Sequence, residues 1–472
     1  MEGGGMVEGF RAGKPNACRE TVTARSFVNC QIEEPAEPTP WECEAYEQYV
    51  HLKELQKMWN CRVWPGWSNE ALVKPALQAL EMSFRFISSI LCDPRAYIDK
   101  AEWTKRLESL TNGQIELVSI ICEGDNEAPT IQLAVSTGVL GMGFAQEVWQ
   151  RPGALPVVSR SSENSLLPRL AAWKRAEDTV ARLRLSIECH MQRVPFTLGL
   201  GEPNLAGKAV LDYDNVCQPS NVYALKSSAH GNAEDTTLST AHQIMEAWLH
   251  VADTLVGRIH ESVACGDASA AARDSWTVER IWRLLTDANN LLLLMDPDDF
   301  LRLKQQLVTS ASGLPAGAYC LRSRGLKHVT KDCKDLRHLV PKVVGVEADP
   351  KGGPRLQEAV MSIFHLHGRG GTPYDFGTVH LLQAFQAIEA AVKRFYFSYQ
   401  QLVVVVMGSV EMKGSSYRGG AADALSHIYT EPPYFPSVDG AKTFLGDYWH
   451  YSHQDPVNLH PICTANSDAS MT

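Results

Sequence analysis

No apolar run in this 472-residue chain approaches the roughly 18 residues that suggest a membrane span; the longest, 402–408, is far shorter. The first twenty residues, MEGGGMVEGFRAGKPNACRE, lack the apolar segment of a secretory signal, so a cytoplasmic protein is expected. Excess positive charge is missing too. Forty-four Lys+Arg stand against 54 Asp+Glu, a net charge of −10, which argues against a nucleic-acid partner or an anionic membrane surface. The 12 cysteines, from Cys18 to Cys463, include no CxxC pair and read as reduced, mostly buried thiols. Alternating strand patterns are nearly absent, and there is no internal repeat. What the chain does have is apolar material. At 44% hydrophobic residues it has enough for one large core or two unequal ones, and too much for a disordered chain.

The spacing of that material is helical. Leu72, Val73, Ala76, Leu77, Leu80, Met82, Phe84, Phe86, Ile87, Ile90 and Leu91 recur mostly at three- and four-residue steps. Further helices are predicted at about 103–122, 130–148, 165–192, 276–307 and 378–408. Another of about 25 residues carries Leu238, His242, Met245, Leu249, Ala252, Val256 and Ile259 on one face. One helix is expected to start at Pro297, with Asp298 and Asp299 in its first turn. Val403–Val406 favours a strand by propensity, but its surroundings place it in a helix buried on all sides. The fold class is all-α: a disordered lead-in at 1–40, which lacks periodicity, an N-terminal helical domain at 41–193 and a C-terminal helical domain at 194–472. Segments 345–355 and 367–377 read as loops.

Several constellations have a plain reading beside a functional one. GEPNLAGKA (201–209) resembles a phosphate loop, but five residues separate Gly201 from Gly207, and Ala209 stands where a magnesium-binding hydroxyl is needed. His365 and His367 form a chelating pair if extended, yet no carboxylate or cysteine accompanies them at ligand spacing, and a solvated loop is the plainer reading. His450 and His453 read as surface residues. Arg322, Arg324, Lys327, Lys331, Lys334, Arg337 and Lys342 read as a solvated face or as a holder for an anionic cofactor. His242, inside an apolar stripe, is either a core histidine or a neutral base facing a substrate N–H.

Residues 235–313 resemble the central part of the tryptophan 2,3-dioxygenase and indoleamine 2,3-dioxygenase superfamily of heme proteins. TLSTAHQIMEAWLHVADTL (237–255) is similar to that family's His-Gln helix, and MDPDDFLRLKQQLVTSASG (295–313) to its segment ending in Ala-Ser-Gly. YFSYQQLVVVVMGSVEMKGSSYRGGAADAL (396–425) resembles the proximal heme helix and the loop after it. Residues 66–91 and the C-terminal block resemble monodechloroaminopyrrolnitrin synthase-like proteins of the same superfamily.

The resemblance implies a helical bundle around heme and an oxidoreductase using O₂ or peroxide on an indole- or tryptophan-derived aromatic in specialised metabolism. It places His242 near the substrate and Lys304 at its carboxylate. Leu238 and Leu303 fall at substrate-facing aromatic positions, and Lys413, Ser415 and Gly419 in a loop closing over heme. Tyr399 falls at the axial histidine position. Three readings stay open: a phenolate ligand to iron, ligation by His380 instead, or loss of heme. A heme-free enzyme using His242 and Tyr399 as acid and base, or a non-catalytic ligand- or partner-binding helical protein, are the alternatives. An oligomer is possible, since YEQYVHLKEL (46–55) resembles a helix that tetrameric members exchange, although here it lies far from His242 in sequence.

Overall fold

In the computed structural model, residues 40–131, 162–202, 205, 208–225, 231–309, 323–347, 354–368, 373–407 and 428–454 are described. The expected lead-in at 1–40 falls outside them apart from Pro40, where the first helix begins.

The chain is all-α, as its periodicity implies. The N-terminal half supplies α1 (Pro40–Tyr49), α2 (Leu52–Asn60), α3 (Glu70–Cys92), α4 (Lys100–Cys122), α5 (Leu166–Leu170) and α6 (Glu177–Met191). Short helices α7 (Tyr213–Cys217) and α8 (Pro219–Ala224) lead into α9 (Ala233–Cys265), α10 (Ala268–Leu291), α11 (Pro297–Thr309) and α12 (Arg324–Asp335). The remainder is α13 (Val340–Val343), α14 (Pro354–Gly368), α15 (Pro373–Met407) and α16 (Pro436–Gln454). A minimal sheet, order β1-β3-β2, joins Thr130–Ile131, Ala209–Leu211 and Phe196–Thr197. β1 runs antiparallel to β3, with Thr130 opposite Leu211, and β2 runs parallel to β3, with Phe196 opposite Ala209.

Two long helices organise the packing. α9 lies along α3, α10 and α12, and α10 lies along α9, α4 and α15. The turn between α9 and α10 is two residues long. Gly266 takes the left-handed conformation (φ 79°) that ends α9, and Asp267 caps α10 by accepting from the Ala270 N–H at 2.9 Å. So short a link forces the two helices antiparallel. Asn232 caps the start of α9 through the Glu234 N–H. One apolar cluster runs from Tyr46 to Ala441 and encloses Trp67, Trp103, Trp248 and Trp282.

The differences from expectation have local causes. The helix expected at 165–192 is two, α5 and α6, separated by tight turns through Ala172, Trp173 and Ala176, with Glu177 and Asp178 opening the second. The stretch expected as a helix at 130–148 starts as strand β1; the rest lies outside the described residues. Pro373 begins α15 inside the expected loop at 367–377, and His365 and His367 belong to α14 instead of a loop. Val403–Val406 is helical, but α15 is not enclosed there: Val405 is 67% exposed.

Candidate functional site

A cleft of about 290 Å³ opens between α2, α9 and α12. Its walls carry Leu52 and Trp59 from α2, Leu249, His250 and Asp253 from α9, and Arg324, Gly325, His328 and Val329 from α12. Gly325 of α12 faces α9, where a Cβ would lie 3.1 Å from Glu246 Oε2 and press on that carboxylate. Ser323 caps α12 by accepting from the Leu326 N–H at 2.9 Å. Its side chain also hydrogen-bonds Glu246 at the base of the cleft.

The cleft's groups are held firmly. Burial pushes the Glu246 carboxyl above its ordinary range, against the opposing pull of Ser323 and of the Tyr46 hydroxyl, which donates at 2.7 Å. The His250 ring stacks on Trp59 at 4.9 Å and 22°. Burial pushes that imidazole down, and the charge of Asp253 opposes the shift. The Trp59 indole N–H donates to Gln78 Oε1 at 2.9 Å. At the mouth, Arg324 pairs with Glu47 at 3.4 Å. Asp253, His328 and Asp332 converge there, each offering a ligand atom within 4.8 Å of the others. An aromatic shelf, apolar walls and a rim of both charges suit recognition of a partner with both apolar and polar groups.

Of the residues singled out from sequence, Arg324 lines the cleft, while His242, Leu238, Leu303, Tyr399 and His380 are not among its lining residues. His242 is 1% exposed on α9, against the Tyr46 ring at 6.0 Å, and burial pushes its imidazole down to about 3. Leu238 and Leu303 are core residues. Lys304 belongs to α11, with its side chain outside the described residues, and Lys413, Ser415 and Gly419 lie outside them altogether. Tyr399 is 4% exposed on α15, its ring stacked with Phe395 at 6.4 Å, while Trp282 of α10 meets Phe395 edge-on. His380 on the same helix is exposed. The basic run divides. Lys334 bonds Glu431 at 2.9 Å, Lys342 reaches the Ala264 carbonyl at 3.4 Å, and Arg324 alone of the run lines the cleft. At the start of the 201–209 segment, Glu202 Oε2 accepts from the Leu200 and Gly201 N–H groups, and Gly207 lies outside the described residues.

Sequence reading missed His250, Asp253, His328, Asp332 and Trp59. One signal was available: His328 and Asp332 stand four apart, a spacing that puts both on one face of a helix. Asp253 gives no such signal, since only the packing of α9 on α12 brings it there.

Residues 13–188 match the family described as Hs1pro-1 N-terminus, and residues 191–451 the Hs1pro-1 protein C-terminus. The chain is 43% identical over 413 residues to the nematode resistance protein-like HSPRO2 of Arabidopsis thaliana, covering 87% of this chain and 88% of that protein. It is 41% identical over 413 residues to HSPRO1 of the same plant, covering 86% and 90%. These matches overturn the resemblance to the tryptophan and indoleamine dioxygenases, and with it the heme-dependent oxidoreductase acting on an indole substrate. The heme expectation loses the resemblance that carried it.

The misleading segment has a structural explanation. In the His-Gln helix, Gln243 donates to the Val50 and Leu225 carbonyls, Glu246 accepts from Tyr46, and the Trp248 indole N–H donates to Gln114 Oε1 at 3.1 Å. In the second segment, Asp296 caps α11, while Asp299 accepts from Arg95 at 2.8 Å. These residues tie helices together, so their spacing records packing. With both halves matched and identity extending over most of two relatives, the chain belongs to the Hs1pro-1 family.

Proposed function

We propose that this protein contributes to resistance against nematodes, and that it does so as a partner-binding helical protein using the α2–α9–α12 cleft. The observation that carries this reading is the 43% identity, over 87% of the chain, to a relative named for nematode resistance. Physical support comes from the cleft: Glu246 and His250 are tied into hydrogen bonds and stacking, while Gln56, Arg324 and His328 stay exposed at its edge. Fixed walls with an adaptable rim are what a recognition surface needs. We place its work in the cytoplasm. The seven cysteines among the described residues, from Cys61 to Cys333, are all free thiols, as a reducing compartment favours, although four of them (Cys61, Cys92, Cys189 and Cys265) are exposed and not buried as the sequence suggested.

The test is complementation. An Arabidopsis thaliana line lacking its own HSPRO1 and HSPRO2 receives the wild-type chain, Arg324→Ala or Gln56→Trp, and nematodes maturing per root are counted at matched protein levels. The wild type should lower the count, and both variants, at exposed positions, should fail to do so. A loss-of-function line no more susceptible than its parent refutes the resistance role. Full rescue by both variants refutes the cleft.

A further inference from the structure

We infer that Asp253, His328 and Asp332 form a binding site for a divalent transition-metal ion of the zinc class at the mouth of the α2–α9–α12 cleft. His328 and Asp332 lie one turn apart on one face of α12, and Asp253 reaches them from α9. His328 Nε2 is 3.4 Å from Asp253 Oδ1 and 3.4 Å from Asp332 Oδ2.

Those two equal distances fit a loose ion pair and also a shared metal ion. A charge-assisted N–H···O hydrogen bond is about 2.7–2.9 Å long, so the imidazole is too far from either carboxylate for a tight ion pair. Ligands bound at about 2.1 Å around a tetrahedral ion stand about 3.4 Å apart along each edge. Two of the three ligand-to-ligand edges therefore have the length a tetrahedral ion requires, and the third, Asp253 to Asp332, lies within 4.8 Å.

The donor chemistry narrows the ion. One imidazole nitrogen with two carboxylates disfavours calcium and magnesium, which prefer all-oxygen shells, and suits zinc, cobalt or nickel. Two carboxylates also balance a double positive charge. Three protein ligands leave a fourth position, the arrangement of an open site. Asp253 and His328 both line the cleft, so the site borders it, within reach of water or of a carboxylate from whatever the cleft receives. Side-chain exposures of 41%, 61% and 28% for Asp253, His328 and Asp332 leave the ion a route in. Bound there, it cross-links α9 to α12 and fixes the rim on which Arg324 stands.

The full-length protein, stripped with a chelator, is titrated with Co²⁺ and then with Zn²⁺ as competitor. Expected is one equivalent of Co²⁺ giving the visible band of a four- or five-coordinate nitrogen/oxygen site, without thiolate charge transfer, and displaced by Zn²⁺. His328→Gln and Asp332→Asn should each weaken Co²⁺ binding at least tenfold, with apo-protein melting unchanged. Asp253→Asn, on the other helix, gives the same answer should an α12 variant fail to fold. Wild-type affinity in folded variants overturns the assignment. So does a spectrum of thiolate type, which would place the metal on exposed cysteines such as Cys61 or Cys265.

Discussion

Replacing His242 with Gln tests whether a neutral imidazole is built into the core. The side chain is 1% exposed on α9, and burial pushes its imidazole down to about 3 from an ordinary value near 6.5. Above pH 6.5 the imidazole is neutral in both folded and unfolded chains, and its contribution to stability is fully present. As pH falls below 6.5, the unfolded chain takes up a proton that the folded chain refuses. Stability is then lost at about 1.4 kcal/mol per pH unit until the folded imidazole titrates. Between pH 7 and pH 5 this amounts to about 2 kcal/mol.

The assay is urea unfolding of the wild type and His242→Gln at pH 7 and pH 5, at one ionic strength. Burial also pushes the Glu81, Glu202 and Glu246 carboxyls upward, and these contribute in the opposite direction, stabilising most at low pH. They are common to both proteins and cancel in the difference. The stability of the wild type relative to the variant should therefore fall by about 2 kcal/mol from pH 7 to pH 5. An unchanged difference refutes the reasoning, because it means that His242 takes up its proton in the folded chain as readily as in the unfolded one.

Two further outcomes follow from buried polar groups. Glu81 accepts from the hydroxyls of Tyr213, Tyr223 and Ser165 and from the Leu166 N–H, joining α3 to α5, α7 and α8. Glu81→Ala strands these donors and should cost about 4 kcal/mol in urea unfolding, whereas a loss below about 0.5 kcal/mol would deny the cluster its structural role. Lys74, fully buried, donates to Glu70 at 2.9 Å and to the Cys61 carbonyl. Lys74→Met leaves the buried Glu70 carboxylate without its counter-charge, held only by the Val63 and Trp64 N–H groups, and should lower stability by about 3 kcal/mol at pH 7. Burial alone raises the Glu70 carboxyl, but the Val63 N–H, Lys74 and the Trp64 N–H together hold it below the ordinary range. Its contribution is therefore present above about pH 4.3 and lost as pH falls through the depressed value, so the Lys74→Met penalty should shrink in acid.

The sequence by itself determined the fold class and most of the long helices. The apolar stripe of α3, the long face of α9 and the Pro297 start of α11 are local signals, since helical hydrogen bonds and caps join residues at most a few positions apart. The same locality misled the functional reading. His242, Gln243, Glu246 and Trp248 look like a site motif when read along one helix, yet their partners are Tyr46, Val50, Gln114 and Leu225, up to about two hundred residues away. Val405 shows a similar failure, because propensity favours or disfavours the helix but does not say which neighbour covers it. Only the tertiary structure decided that α2, α9 and α12 enclose a cleft, and that Asp253 meets His328 and Asp332 at its mouth. Pairing of distant helices is set by the summed complementarity of whole faces, and that information resides in no single segment of the chain.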